Sequence, residues 1–453
     1  MSKYTVSSEG IPQELLPFEA KTTQVAIRGE QEIKYLPINS FDTSDTVNFE
    51  IPPQQNLMIK NIEIVTKFSI ENDDDDVTAL LVSNPANSLW KQVDIILNNK
   101  HQLSNPMQQS SNYETFFSTI LNVDQEREDV LLNNQRFLLD DGGKEDGSDD
   151  RIISPARIRS TPITSKRSVT VISDLNCSLL KTSKLLIPGL EFNISLTKNK
   201  PEFLLLSLGT HTIKIEKVYL SVTFVQAEEA YLAVLEKRLE TTPAIYDGHR
   251  TEISTFGIQS GVTEYQFNNI YRGHLPHFMV VCVQDREAIN GHYAKNPFTF
   301  YPFKSIQVYI NNREYFADPL EASKEDDTLV INHFYKALGY DLKGTCLINR
   351  KNFRAHFMIP IALARDRTIK HHHNLQEVAD FKVEIKFEQA VPANQVLMVY
   401  SVFDQLIKID KQRNVEILWT PTKSHMSCTY ALTFVGCGPA VQLINLRRKS
   451  AVA

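Results

Sequence analysis

The sequence predicts an all-β protein built from two copies of one β-sandwich fold, with a few short helices. Three observations predict this class: a segment that occurs twice, alternation of apolar and polar residues with period two, and a strong helix near mid-chain. A chain of 453 residues also exceeds the roughly 250 to 300 residues at which single cores stop growing. Two domains are therefore expected.

The duplicated segment lies at residues 91–106 and again at residues 304–319, an offset of 213 positions without a gap. Both copies begin with lysine, contain an Asn-Asn pair and end with proline, and most other positions exchange similar residues. Solenoid and propeller repeats recur every 20 to 50 residues or so, hence a longer offset indicates a duplicated domain. The shared residues that mark the repeat are Asn98, Asn99, Pro106, Asn311, Asn312 and Pro319.

Each copy predicts a hairpin followed by a helix. Asparagine tolerates left-handed backbone angles, and Asn-Asn between two strand-like runs therefore predicts a tight turn, which the later proline terminates. In the first copy Ser111 and Glu114 have the spacing of a capping box before an apolar helical pattern. In the second copy a similar pattern ends at Gly339, a residue type typical of helix C-termini.

Alternation of apolar and polar residues dominates the rest of the chain. Residues 381–388 are apolar at every odd position and charged at every even position, which predicts a strand with one buried and one wet face. Comparable runs cover residues 57–70, 185–196, 213–225, 278–283, 353–361 and 396–403. Eight or so antiparallel strands per half predict sandwiches.

A helix at residues 227–239 separates the halves, with acids in its first turn, bases in its last turn and Pro243 after it. A weaker similarity between residues 220–225 and 430–435 suggests where each half ends. The predicted organisation is an N-terminal arm (1–14), a first domain (15–226), a connecting helix (227–243), a second domain (244–445) and a C-terminal tail (446–453).

Composition excludes several classes of protein. A formal net charge of −6 gives no electrostatic footprint for nucleic acid, so no specific nucleic-acid binding is expected. There is neither a signal-peptide pattern nor an apolar run of about 18 residues, so neither secretion by a signal peptide nor a membrane span is expected. Five scattered cysteines without zinc spacing predict reduced thiols.

Four clusters of charged residues or histidines stand out as candidate ion or phosphate sites. The acidic residues 140–150 do not have the spacing of a calcium-binding EF-hand, which favours a solvated loop, and residues 73–76 favour a hairpin tip. Three adjacent histidines, 371–373, point in different directions and cannot form one ligand shell alone. The basic residues 447–449 favour a solvated terminus.

No catalytic motif stands out. His274 and His277 flank a proline and lack the pattern of a metalloprotease helix, and neither a nucleophile elbow nor a P-loop occurs. A glycosidase-like pair of carboxylates remains open, although nothing singles one out. We expect no catalytic residue, no cofactor and no metal ligand, and we expect that folding needs no metal.

Residues 16–27, 33–38, 88–99, 185–196 and the stretch 272–303 each resemble segments of one known family. Residues 88–99 are similar to its N-x-L-F/W-x-x-V-x-V-x-L-N segment, and the similarity extends over about residues 12–330. The family is the double jelly-roll major capsid proteins of Polinton (Maverick) elements and adintoviruses, which are relatives of adenovirus hexon.

The resemblance implies two tandem eight-stranded jelly rolls and a structural role rather than an enzymatic one. It implies a homotrimer that acts as a pseudo-hexagonal capsomer in an icosahedral virus shell, with neighbouring capsomers and a single jelly-roll penton or minor capsid protein as partners. The expected location is the virion. The sequence leaves an internal membrane undetermined, and a receptor- or carbohydrate-binding jelly roll and a β-sandwich enzyme stay open as alternatives.

Overall fold

Two antiparallel sheets from each half of the chain form the framework of the protein in its computed structural model. The structure describes residues 24–72, 79–99, 101–103, 110–141, 154–164, 167–207, 211–268, 270–271, 274–323, 326–339, 346–364 and 377–418. Within these residues every strand ladder joins two strands of the same half. The predicted all-β class is confirmed.

The first half contains β1 (Ile27–Tyr35), β2 (Thr46–Ile51), β3 (Leu57–Asn72), β4 (Leu80–Leu81), β5 (Trp90–Leu97), β6 (His101–Gln102), β7 (Val169–Asp174), β8 (Phe192–Lys198), β9 (Leu205–Leu206) and β10 (His211–Ala227). The second half contains β11 (Ala244–Gly257), β12 (Glu264–Phe267), β13 (Phe278–Asp285), β14 (Ser305–Ile310), β15 (Arg313–Glu314), β16 (Leu320–Glu321), β17 (Ile359–Ala362), β18 (Phe381–Lys386), β19 (Gln395–Ile409) and β20 (Val415–Leu418).

The helices are short. They are α1 (Pro85–Ser88), α2 (Ser111–Asn122), α3 (Glu128–Gln135), α4 (Pro155–Thr164), α5 (Pro201–Leu204), α6 (Glu229–Leu239), α7 (Arg286–Asn290) and α8 (Thr328–Leu338), with a 3₁₀ turn at Gln125–Arg127. Among the residues described, no helix combines the length and the apolar character that a membrane crossing requires.

The strand order is the same in both halves. The first half has sheets β1-β10-β3-β7 and β2-β8-β5-β6, and the second has β11-β19-β13-β17 and β12-β18-β14-β15, with β20 and β16 added at β19 and β14. Each half thus places its last long strand between its first and third strands. Two four-stranded sheets connected in this way form a jelly roll, so the chain is a double jelly roll.

The alternation of apolar and polar residues along each strand produces the hydrophobic core. In β18 the side chains of Phe381, Val383 and Ile385 are fully buried, while Lys382 and Glu384 between them are partly exposed. One face of the strand therefore packs inward and the other meets solvent, as the period-two pattern predicts. Buried apolar residues of both halves form one continuous cluster.

The two Asn-Asn pairs adopt the same backbone conformation. Asn98 and Asn99 have φ of 51° and 56° between β5 and β6, and Asn311 and Asn312 have φ of 50° and 61° between β14 and β15. Two consecutive left-handed residues are characteristic of the type I′ hairpin turn. Pro319 directly precedes β16, whereas Pro106 lies outside the described residues.

The first asparagine of each pair makes the same reciprocal hydrogen bonds. The Asn98 backbone N–H donates to the Glu191 carbonyl oxygen at 2.9 Å, and the Glu191 N–H donates to Asn98 Oδ1 at 2.9 Å. Asn311 and Asp380 repeat this exchange at 2.9 and 3.0 Å. Each turn is therefore tied to the residue just before β8 or β18.

Two of the predicted strands are shorter in the structure. In the run 185–196 the strand begins only at Phe192, because Gly189 turns the chain at φ 85°. In the run 353–361 it begins only at Ile359, since Phe353 lies in a turn that Asn349 and Asn352 stabilise by side-chain hydrogen bonds. Both runs are apolar because they are buried, which does not require a strand.

One smaller expectation is wrong. Ser111 does not cap helix α2: Ser110 is the N-cap residue, and the Ser111 hydroxyl instead accepts a hydrogen bond from the Val93 N–H at 3.1 Å. In the described residues, the position that β10 has in the first half is taken in the second half by β19. The similarity of residues 220–225 to residues 430–435 stays a prediction, because residues 430–435 lie outside the described part of the chain.

The connecting helix α6 is anchored by charge at both ends. It begins at Glu229, later than the predicted residue 227, which belongs to β10. Arg28 contacts Glu228 at 2.6 Å before the first turn, and Lys411 contacts Glu240 at 2.8 Å after the last. The helix therefore links β1 of the first half to the β19–β20 turn of the second.

We predict that Asn311→Ala destabilises the protein by about 1–2 kcal/mol, because alanine disfavours the left-handed conformation and cannot accept the Asp380 N–H. Asn311→Gly loses only the hydrogen bond and should be less harmful. Urea unfolding of both variants measures the difference. Equal losses would show that the backbone conformation contributes nothing.

Candidate functional site

The two halves meet at an aromatic cluster centred on helix α2 of the first half. Phe116 stacks on Phe298 with ring centroids 4.5 Å apart, and Phe117 stacks on Tyr400 at 5.1 Å and on Phe300 at 5.7 Å. All five side chains are buried. Since aromatic rings bury a large apolar area, this contact fixes the second half against the first.

A buried ion pair lies beside this cluster. Arg159 Nη1 on α4 lies 2.6 Å from Asp140 Oδ1, and both side chains are inaccessible to solvent. The guanidinium also donates to the carbonyl oxygens of Leu81 and Leu138, while the Ser83 hydroxyl donates to Asp140 Oδ2. Such a pair is tolerated because nearly every donor and acceptor is satisfied.

The second half completes this polar group. Asn296 Nδ2 donates to Asp140 Oδ2 at 2.9 Å, and His356 Nε2 lies 3.1 Å from the Asp140 carbonyl oxygen. Burial raises the pKa of Asp140, but Arg159, Ser83 and His356 together outweigh burial, and the pKa lies below its ordinary value. Burial lowers the pKa of His356. The Asp140 carboxylate thus accepts hydrogen bonds from side chains of both halves.

Arg413, in the turn after β19, forms a second link. Its Nε donates to the Pro188 carbonyl oxygen at 2.6 Å, its Nη2 pairs with Glu236 on α6, and its own carbonyl oxygen accepts from Asn98 Nδ2 at 2.6 Å. Gly189 makes room for this arginine, because a Cβ there would lie 3.0 Å from Arg413 Nε. One side chain therefore connects the first jelly roll, the linker and the second jelly roll.

A cavity of about 380 Å³ opens between the halves. Glu114 of α2 and Lys181 line one side, and residues 249–252 of β11 line the other. Protein atoms surround Glu114 although it keeps some area open to the cavity; this burial raises its pKa to about 7, against a hydrogen bond from the Thr251 hydroxyl. The carboxyl is therefore neutral over part of the physiological pH range.

The acidic stretch 140–150 begins differently from the predicted solvated loop. Asp140 is buried in the junction, and only Asp141 among the following residues is described. Residues 142–150, the acidic residues 73–76, the histidines 371–373 and the basic residues 447–449 lie outside the described part of the chain. Cys177, Cys282 and Cys346 are free and buried.

His277 lies in a group that the sequence does not predict. Its Nδ1 is 3.2 Å from Asp404 Oδ1, and His249 Nδ1 is 3.4 Å from the same oxygen. The sequence pairs His277 with His274, which instead bridges to Val378. His249 and Asp404 are 155 positions apart and become neighbours only because β11 pairs with β19.

No protein-family model matches the chain. An uncharacterised protein of Caenorhabditis elegans is 20% identical over 425 residues, which cover 88% of this chain and 93% of that protein. A chain in the cryo-EM structure of the Sputnik virophage matches with a TM-score of 0.65 and 9% identity, covering 95% of this chain and 97% of that one.

Two further structures match at a TM-score of 0.55. The mavirus major capsid protein is 13% identical, with 94% of this chain and 96% of that chain covered. A chain in a quasi-atomic model of the PBCV-1 virus capsid is 10% identical, with 89% and 99% covered. At these identities the likeness shows the fold, and it extends over nearly the full length of both partners.

We predict that Phe117→Ala lowers the free energy of unfolding by about 3–5 kcal/mol, because it empties the centre of the junction. Phe256→Ala, a half-buried ring that packs within the second half, should be less harmful. Guanidinium unfolding followed by tryptophan fluorescence and circular dichroism should show one shared transition. Separate transitions for the two halves in the unmodified protein would contradict a common core.

We predict that Glu114→Gln stabilises the protein at pH 8 by about 2 kcal/mol and has little effect at pH 5. The folded pKa of about 7 lies above the unfolded value, so the wild-type carboxyl loses its favourable contribution as pH rises towards 7, while glutamine does not titrate. Thermal unfolding at both pH values tests this. The exposed Glu126→Gln is the control, and a pH-independent difference for Glu114→Gln would contradict the prediction.

Proposed function

We propose that this protein is a structural major capsid protein whose work is assembly. Three chains would form a homotrimer with six similar jelly rolls, and this pseudo-hexagonal capsomer would tile an icosahedral virus shell. Its location would be the virion, and its partners would be neighbouring capsomers and a single jelly-roll penton or minor capsid protein.

The observation that carries the proposal is the repeated strand order together with the junction that joins the repeats. Two jelly rolls with the same order stand in one fixed relation, because Phe116, Phe117 and Asp140 bind the second half to the first. Because each chain is a rigid pair of similar jelly rolls, a trimer presents six similar domains and has the outline of a hexamer. A heterologous contact that repeats by rotation closes into a ring.

The burial of the helices that follow the two hairpins supports the proposal of a trimeric ring. In α2 the apolar residues Tyr113, Phe116, Phe117 and Ile120 are all buried, since the second half covers them. In α8 the corresponding helical pattern is Ile331, Phe334, Tyr335 and Leu338, of which only Phe334 is fully buried.

Leu329, also on α8, is 66% exposed. The surface around α8 therefore lacks, within the described chain, a neighbour like the one that covers α2. The first jelly roll of a second copy has the matching fold.

The likeness to virophage, mavirus and PBCV-1 capsid chains agrees with this function and covers nearly the whole length of each. The sequence segments described above further suggest the Polinton and adintovirus lineage. Within this proposal the jelly rolls span residues 15–226 and 244–445, joined by residues 227–243, with an arm at 1–14 and a tail at 446–453.

A receptor- or carbohydrate-binding jelly roll is the alternative. Sugar-binding sites of that class present aromatic side chains to solvent. Of the large apolar side chains exposed in the described residues, Tyr231 on α6 is the one aromatic residue. This surface favours assembly over carbohydrate binding.

We predict that Leu329→Glu abolishes the trimer while leaving the chain folded, because the side chain is exposed in one chain and would place a carboxylate in the interface. Light scattering coupled to size exclusion measures the mass against three times 51.7 kDa. The interface should exceed the roughly 2,000 Å² at which obligate assemblies begin.

Val130→Glu on α3 is the matched control, since Val130 is 57% exposed and lies on a helix of the first half. The control should remain trimeric. A wild-type protein that stays monomeric at micromolar concentration in every salt tested would contradict the capsid proposal. A trimer in the Leu329→Glu variant would instead show that α8 lies outside the interface.

A further inference from the structure

We propose that His249, His277 and Asp404 form a binding site for a zinc-like divalent transition-metal ion in the second jelly roll. Two imidazoles and one carboxylate converge there, with ligand atoms all within 4.8 Å of one another. The site ties three parts of one sheet together and is independent of the capsid proposal.

The distances from each histidine to Asp404 match a tetrahedral site. His277 Nδ1 and His249 Nδ1 lie 3.2 and 3.4 Å from Asp404 Oδ1. With metal–ligand bonds of about 2.0–2.2 Å, two ligands of a tetrahedral ion stand roughly 3.3–3.5 Å apart. The ligand atoms of the two imidazoles lie within 4.8 Å of each other, and they would move closer together around an ion.

Regular β-strands carry two of the three ligands, and the third lies just before β13. His249 on β11 stands directly opposite Asp404 on β19 in the antiparallel ladder. The segment that carries His277 is held to the same strand, because the His277 N–H donates to the Val402 carbonyl oxygen at 3.0 Å. Sites built on strands hold their ligands more firmly than sites built on loops.

A buried nitrogen provides a second, independent observation. His277 Nδ1 lies 3.2 Å from Asp404 Oδ1 but makes no hydrogen bond with it or with any other atom, although the His277 side chain is 93% buried. A buried polar atom without a partner is costly, and native proteins rarely keep one without a reason. Coordination of an ion would satisfy this nitrogen, because neutral imidazole is a common metal ligand.

The donor set selects the class of ion. Two nitrogens and one oxygen suit zinc and its neighbours, whereas calcium and magnesium prefer oxygen ligands only. Asp404 is buried and His249 is about half exposed, so a fourth position faces solvent. The nearby Arg250 contributes little repulsion, because its guanidinium pairs with Glu252 and lies over the Phe403 ring.

Calorimetric titration of the chelator-treated full chain with Zn²⁺ tests the proposal. We expect one ion per chain, and Co²⁺ in its place should give the intense visible absorption of four-coordinate cobalt. His249→Ala and Asp404→Asn should each weaken binding by at least about 100-fold, because even groups that merely orient ligands contribute 10–100-fold. His249 is the decisive position because its exposure lets the alanine variant fold.

The control replaces the three consecutive histidines of the sequence, in the variant His371→Gln, His372→Gln and His373→Gln. That protein should keep the full affinity and the cobalt spectrum. Loss of binding in the control with retention in His249→Ala would overturn the proposal, as would a wild-type chain that binds neither ion. Trimer formation is measured separately, so failure of this site and failure of the capsid assignment are distinguishable.

Discussion

The contact between helix α2 and the second jelly roll is the interaction on which the rest of the structure depends. Without it the chain would be two sandwiches on a linker, because no strand ladder in the described residues crosses from one half to the other. Phe116 and Phe117 supply the apolar area, and Asp140 supplies direction through hydrogen bonds that only one arrangement satisfies. Apolar area alone is non-directional, so the polar group gives the junction its orientation.

The junction between the jelly rolls bears on both assembly and the pH dependence of stability. Because the angle between the two jelly rolls of one chain is fixed, a second chain can pack against the first in the same relative orientation. A flexible angle would not define a closed ring. The cavity beside the junction holds Glu114, whose raised pKa makes the stability of this region depend on pH near neutrality. His356 acts in the opposite sense, since burial lowers its pKa and acid favours the unfolded chain.

Local patterns predicted the elements that local forces decide. The strand at residues 381–386, the Asn-Asn hairpins and the helix end at Gly339 depend on residues close in sequence, and the structure contains each of them. The alternation pattern predicted strands that are too long where residues are buried by contacts distant in sequence, as in the runs 185–196 and 353–361. Ser111 likewise resembles a cap but bonds to Val93, because tertiary contacts compete for the same hydroxyl.

The sequence by itself determined the all-β class, the duplication and the helix between the halves, because periodicity and repetition are properties of the chain alone. Only the tertiary structure decided which half covers α2, that Asp140 is buried with Arg159, and that His249 and Asp404 face each other. These residues are between 19 and 182 positions apart in the sequence, and no local pattern encodes such pairs. The order in which strands pair brings them together, and that order is set by burial of the whole core.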